Sequence, residues 1–132
     1  MQIKHYMTTN VATTTPTDTL SDAARLMWEA DCGSLPVCEE FVIGMITDRD
    51  ITMAAYTQGK LLSEILVKDA MSKTLFSCNQ NDDLAVAEHI MQKNKVRRLP
   101  VIDESIQLVG VLSLNDIALA YRDCKGKKVT AN

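Results

Sequence analysis

The chain has 132 residues, a net charge of −3, 46% hydrophobic residues, four cysteines and two histidines. That length fits one folded body of ordinary size without staples, and the mild negative charge, with no Lys/Arg-dense stripe, argues against nucleic acid as the main partner, because phosphate-backbone binding needs concentrated positive charge. No apolar run approaches the roughly 18 residues that span a bilayer, and the opening Met1-Gln2-Ile3-Lys4-His5 lacks a secretory core, so the expectation is a cytoplasmic protein with no membrane partner.

In chain order, Val11 to Thr14 reads as a short strand, followed by the turn and cap signals Pro16-Thr17-Asp18 and a helix with Leu20, Ala23, Ala24 and Met27 at helical spacing. Leu35 to Cys38 and Phe41 to Ile46 are apolar runs parted by Glu39-Glu40, which predicts a tight hairpin. Asp48 opens a second helix through Ala55. The polar stretch from Tyr56 to Asp69, with Gly59, reads as a connector that ends in a helical turn before Ala70-Met71. The order then recurs: a strand from Leu75 to Cys78, Asn81 as N-cap, a helix from Leu84 to Lys93, strands Arg98 to Ile102 and Leu108 to Leu112, and a helix from Asn115 to Arg122.

The recurrence is literal. A slide of 64 positions lays Met7 on Met71, Asp18 on Asp82, Ala23 on Ala87, Met27 on Met91 and Leu35-Pro36-Val37 on Leu99-Pro100-Val101. After a two-residue insertion, a slide of 66 lays the motif from Gly44 to Ile51 on that from Gly110 to Ile117. Two copies at so long a period imply a duplicated domain half and not an extendable solenoid.

The closing motif carries chemistry. A strand ending in Thr47 and turning into a helix at Asp48-Arg49-Asp50 presents first-turn N–H groups and the positive end of the helix dipole, where an anion is favoured. The Thr47 hydroxyl either caps the helix or meets a ligand. The Asp50 carboxylate either complements the dipole or accepts hydrogen bonds from the vicinal hydroxyls of a ribose. Other features are plainer. The stripe of Met27 and Met91 with Ala23 and Ala87 is helix packing, His89 is a surface residue, and the basic run from Cys124 to Lys128 is a solvated terminus. Cys32, Cys38, Cys78 and Cys124 lack CxxC spacing and His5 and His89 lack a His partner, so no metal site is expected. Cys32 and Cys38 bracket one strand closely enough to keep a disulfide or shared metal as a minor alternative.

Three paired segments carry a family resemblance: Tyr6-Met7-Thr8 with Ala70-Met71-Ser72, Gly33 to Val37 with Val96 to Val101, and Gly44 to Ile51 with Gly110 to Ile117. Each copy resembles a CBS domain, and the whole chain resembles a small free-standing tandem CBS pair. The resemblance implies an α/β (α+β) fold of two β-α-β-β-α repeats related by a pseudo-two-fold axis. Repeat one spans 7–59, a connector 60–70, repeat two 71–124, and 125–132 form a polar tail.

In such pairs ligands lie between the copies. Carried over, one cleft combines Thr47, Arg49 and Asp50 with Ser77, Val96, Arg97 and Arg98, and its relative combines Ser113 and Asp116 with Thr13, Cys32, Gly33 and Ser34. Arg97 and Arg98 offer planar charged donors that match phosphate oxygens, which favours the first cleft for a nucleotide; otherwise they form a solvated basic turn. Val11, Ile46, Val96 and Leu99 are candidates to line an adenine slot, although such residues would be core in any case. No catalytic motif appears. The implied function is a regulatory module, not an enzyme, that needs no cofactor and senses an adenine nucleotide such as AMP, ADP, ATP or S-adenosylmethionine. It would act as a homodimer and signal to a regulated protein, with Trp28, Tyr56 and Tyr121 as candidate contacts. The alternatives are a structural dimer with vestigial clefts, or a sensor built on Cys32 and Cys38.

Overall fold

Helix α1, Leu20–Ala30, begins where Thr19 closes a capping box with Asp22 and buries Leu20, Ala23 and Met27, one stripe at three- and four-residue spacing. It ends at Asp31, which takes the left-handed conformation that terminates the helix. Strands β1, Ser34–Cys38, and β2, Val42–Thr47, form the expected antiparallel hairpin, with Leu35 opposite Ile46 and Val37 opposite Gly44. Alternate residues of β2 (Val42, Gly44 and Ile46) are buried, as a strand with one solvated face requires. Helix α2, Asp48–Gln58, runs three residues beyond the expected end, because the first left-handed terminator is Gly59. The connector then makes two 3₁₀ turns, Leu62–Glu64 and Val67–Asp69.

The computed structural model describes residues 1–130, with side chains through Asp123. It divides into two compact units, residues 11–75 and residues 1–10 with the chain from Phe76 onward, named here the repeat-one and repeat-two units. In the repeat-one unit Ile65 and Val67 from the connector join Leu20, Leu35, Val37 and Ile46 in one core. The expected strand Val11 to Thr14 shrinks to a single parallel bridge between Thr14 and Val37. Thr14 is held there by its N–H to the Pro36 carbonyl and its hydroxyl to the Asp18 carboxylate at 2.8 Å.

The repeat-two unit repeats the plan. Strand β3, Cys78–Asn79, lies parallel to β4, Arg98–Ile102, which pairs antiparallel with β5, Leu108–Ser113. Helix α3, Leu84–Asn94, is capped by Asp83, whose carboxylate accepts from the Ala85 N–H at 3.0 Å. The expectation of Asn81 as cap is therefore corrected: its side-chain amide donates instead to Glu104. Helix α4, Leu114–Thr130, continues through residues read as a polar tail. The side chains of that tail, with Cys124, lie outside the described residues, as do residues 131 and 132 altogether.

The compact units are offset from the repeats in the sequence. The 3₁₀ turn Ile3–His5 directly precedes repeat one in the sequence, yet Ile3 is wholly buried in the repeat-two core with Leu84, Leu99, Val101 and Leu112. Thr8 and Val111 exchange two backbone hydrogen bonds, at 2.9 and 3.0 Å. Likewise the segment that opens repeat two packs on repeat one, where the Ser72 N–H donates to the Met45 carbonyl. These crossings explain Gly44 and Gly110. A Cβ on Gly44 would stand 2.6 Å from the Ser72 carbonyl oxygen, and one on Gly110 would stand 2.7 Å from that of Thr8.

Candidate functional site

In each unit the strand that ends the hairpin passes without a loop into a helix, and the residue at the join carries a hydroxyl. Thr47 Oγ1 accepts from the Asp50 N–H at 3.1 Å while Asp50 Oδ2 accepts from the Thr47 N–H at 2.9 Å. Ser113 and Asp116 repeat this capping box at 3.0 and 2.9 Å. The cap alternative is thus realised in both copies. It is compatible with ligand binding, because each hydroxyl keeps its proton for donation and each carboxylate keeps Oδ1 without a hydrogen-bond partner among the described residues. A carboxylate fixed by its cap is a pre-ordered acceptor on a half-buried surface.

The expectation of open first-turn N–H groups on α2 is corrected. The Asp48 N–H donates to the Gly33 carbonyl at 3.0 Å, the Arg49 N–H to the Asp48 carboxylate at 2.8 Å, and the Asp50 N–H to Thr47. All three donors are satisfied inside the unit. In α4 the Leu114 N–H donates to the Arg97 carbonyl at 2.8 Å, but Leu114 stands where Asp48 does and has no carboxylate to offer its neighbour.

The segments ahead of β1 and β4 are fixed by the same backbone device. Asp31 and Lys95 adopt left-handed conformations, and the N–H groups of Cys32 and Val96 return to the carbonyls of Met27 and Met91. This brings Ser34 opposite Thr47 and Arg98 opposite Ser113 in register. Within the repeat-one unit the structure therefore gathers Gly33, Ser34, Thr47 and Asp50, and within the repeat-two unit Arg97, Arg98, Ser113 and Asp116.

The remaining candidates differ in character. Arg49, Arg97 and Arg98 are exposed and make no ion pair among the described residues. Thr13 is exposed beside the buried Thr14, and Ser77 is half-buried beside the buried Cys78. Of the adenine-slot candidates, Ile46 and Leu99 are wholly buried in the cores of their own units, whereas Val11 and Val96 are half-buried. Tyr121 is half-buried and donates its hydroxyl to Glu88 at 3.0 Å, so of the three aromatic contact candidates only Trp28 and Tyr56, each 87% exposed, stand clear of the surface.

The idea of a joint Cys32–Cys38 site is overturned by strand geometry. Cys32 precedes β1 and Cys38 ends it, so an extended run with a rise of about 3.3 Å per residue separates two Cα atoms that a disulfide needs within about 7 Å. Burial also raises the Cys38 thiol and, with Asp82 nearby, pushes Cys78 up to about 12, which disfavours the thiolates that bind metal. No group of three or more His, Cys, Asp or Glu side chains that could hold a metal ion occurs among the described residues. None of the described helices is long and apolar enough to cross a membrane.

Two carboxylates that the sequence marks only as turn and helix-start residues also shape these surroundings. Asp48 caps Arg49, and Asp18 accepts from the Thr15 N–H and the Thr14 hydroxyl, bonds that hold its carboxyl below the ordinary value. The Thr14-x-x-x-Asp18 spacing was the available signal.

The CBS domain family matches residues 3–56 and again residues 67–123. The chain is 41% identical over 118 residues to the CBS domain-containing protein YhcV of Bacillus subtilis (strain 168), covering 89% of this chain and 83% of that protein. Among solved structures, Hypoxic Response Protein I with two coordinated zinc ions superposes with a TM-score of 0.79 at 30% identity, over 91% of this chain and 98% of the other. CBSX2 in complex with AMP superposes with a TM-score of 0.80 at 26% identity, over 94% and 98%.

Proposed function

Because the chain belongs to the CBS-domain family and carries two copies of that domain, we propose that it is a regulatory module that senses an adenosine-containing nucleotide. The observation that carries this reading is the duplicated capping box, which presents Asp50 and Asp116 as fixed carboxylates with a spare oxygen each. Such an oxygen suits the hydroxyls of a ribose. A structural relative that holds AMP supports the same ligand class.

We propose as ligand-binding residues Thr47, Arg49 and Asp50 of the repeat-one unit and Ser77, Val96, Arg97 and Arg98 of the repeat-two unit, whose guanidiniums are exposed, make no ion pair among the described residues and suit phosphate. Ser113 and Asp116 of the repeat-two unit, and Thr13, Gly33 and Ser34 of the repeat-one unit, offer no such charge and suit a nucleoside or a weaker ligand. The protein acts without catalysis in the cytoplasm and signals through a partner or through its assembly. The exposed Trp28 and Tyr56 favour a homodimer of two chains, and they also favour the second reading, an interaction module with vestigial clefts.

Melting curves with AMP, ADP, ATP and S-adenosylmethionine at about millimolar concentration separate the two readings. A ligand that binds the folded state raises the melting temperature by mass action. If none of the four shifts it, the interaction reading replaces the sensor.

A further inference from the structure

Helix α1 packs against α2 and helix α3 against α4, so each unit carries one two-helix surface. The duplication matches these surfaces position by position, with a slide of 64 from α1 to α3 and of 66 from α2 to α4. On the repeat-one surface stand Trp28 and Tyr56, each 87% exposed, with Glu29 in the last turn of α1 and Asp31 at its cap. The equivalent positions hold Gln92, Arg122, Lys93 and Lys95, all exposed. One surface is aromatic and acidic where the other is basic.

The side chains between the helices differ in the same complementary sense. Ala24 packs partly buried on the repeat-one core and Ala55 is half-buried on α2. Their equivalents, Glu88 and Tyr121, join α3 to α4 through a hydrogen bond of 3.0 Å. Small side chains on one surface thus correspond to a bulky bridged pair on the other.

The charged groups find little answer inside their own units. Lys93, Lys95 and Arg122 make no ion pair among the described residues, and Glu29 reaches only Arg25, at 4.0 Å on the same helix. A guanidinium over the face of an indole or phenol is attracted by the ring quadrupole, and Trp, Tyr and Arg are the side chains that most often anchor interfaces. Two repeat-one surfaces brought together set Glu29 and Asp31 against their own copies, and two repeat-two surfaces do the same with Lys93, Lys95 and Arg122. Like charges across an interface count against such pairings. In a two-fold dimer residue i meets j while j meets i, so unlike surfaces can pair between identical chains.

We propose that the repeat-one surface docks on the repeat-two surface of a second copy, with Arg122 of one chain on Trp28 and Tyr56 of the other and Lys93 opposite Glu29. This pairing rests on the homodimer reading given above and fixes which surface meets which.

Sedimentation equilibrium of the full chain, of Glu29→Lys, of Lys93→Glu and of the chain with both changes tests it. Both positions are exposed, so the fold survives either change. Each single reversal should weaken dimerisation about tenfold or more at low salt, and less at high salt. The double reversal should restore it, because the facing charges are exchanged and remain opposite. Trp28 is the one tryptophan of the chain, so its emission should move to the blue as the native protein is concentrated, and Arg122→Ala should move that change to higher concentration. A native dimer that neither single reversal weakens, or that the double reversal fails to restore, overturns the pairing and leaves the homodimer standing. A native chain that stays monomeric across the micromolar range overturns both.

Discussion

Where the hairpin turns into the last helix, the two units share backbone contacts and differ in the side chains around them. Asp48 N–H meets the Gly33 carbonyl and Leu114 N–H meets the Arg97 carbonyl; Thr47 with Asp50 and Ser113 with Asp116 close the same box. Around that shared frame stand Gly33-Ser34 in one unit and Arg97-Arg98 in the other. The frame is what folding requires, since it satisfies helix-start donors that would otherwise lack partners. The arginines satisfy nothing in the core and form no ion pair among the described residues. Differences confined to side chains free of structural duty are the place to look for unequal ligand preference.

The equality of the frames is tested most severely at the glycines. Gly44→Ala and Gly110→Ala should each destabilise by about 1–3 kcal/mol, because in both units the new methyl meets a backbone carbonyl that cannot swing aside. Urea unfolding measures both. Sensitivity at one glycine alone would break the equivalence of the two crossings.

The inequality of the sites is sharpened by their carboxylates. Asp50→Ala should weaken adenosine and nucleotide alike by roughly 1.5–3 kcal/mol, as expected for hydrogen bonds to a charged acceptor, with Asp116→Ala doing less. Both variants also lose half of a capping box, so unfolding stability should fall by about 1 kcal/mol in each. Asp50→Asn, which can still accept from the Thr47 N–H, separates the two effects: binding should suffer more than stability.

A smaller effect distinguishes the opening turns. The Thr15 N–H, then the Thr14 hydroxyl, lower the Asp18 pKa below its ordinary 3.8. In the other unit Cys78 replaces Thr14, and among the described residues the Asp82 carboxylate accepts only the Asn79 N–H, at 3.1 Å. A depressed carboxyl contributes stability that is present above its unfolded value and lost as pH falls through the lower folded value. Between about pH 5 and about pH 3, Asp18→Asn should therefore flatten the loss of stability, measured as the urea midpoint. An unchanged acid slope would mean that Thr14 and Thr15 leave Asp18 as it is in the unfolded chain.

Local chemistry was legible in the sequence and tertiary pairing was not. The hairpins, the helices and the Thr47-x-x-Asp50 cap follow from periodicity and from side chains that bond within three residues. Asn81 failed as a cap because Asn81, Asp82 and Asp83 all have the right chemistry, and only Glu104, distant in sequence, draws Asn81 away. The opening strands were over-read because Val11 to Thr14 has β-favouring residues but pairs at Thr14 alone. Aligning Met7 with Met71 exposed the duplication, yet alignment cannot say on which body a segment packs, so the crossed docking of residues 1–10 was invisible. The supposed proximity of Cys32 and Cys38 ignored the length of the strand between them.

The most direct test of the nucleotide reading is calorimetric titration of AMP and of adenosine into the nucleotide-stripped protein and into its Arg97→Ala and Arg98→Ala variants. The native chain should bind both ligands, and the arginine variants should lose AMP affinity roughly tenfold or more while holding adenosine nearly unchanged, with a flatter dependence on salt. Equal AMP affinity in the native chain and both variants, together with greater damage from Asp116→Ala than from Asp50→Ala, would contradict the assignment of the phosphate to Arg97 and Arg98.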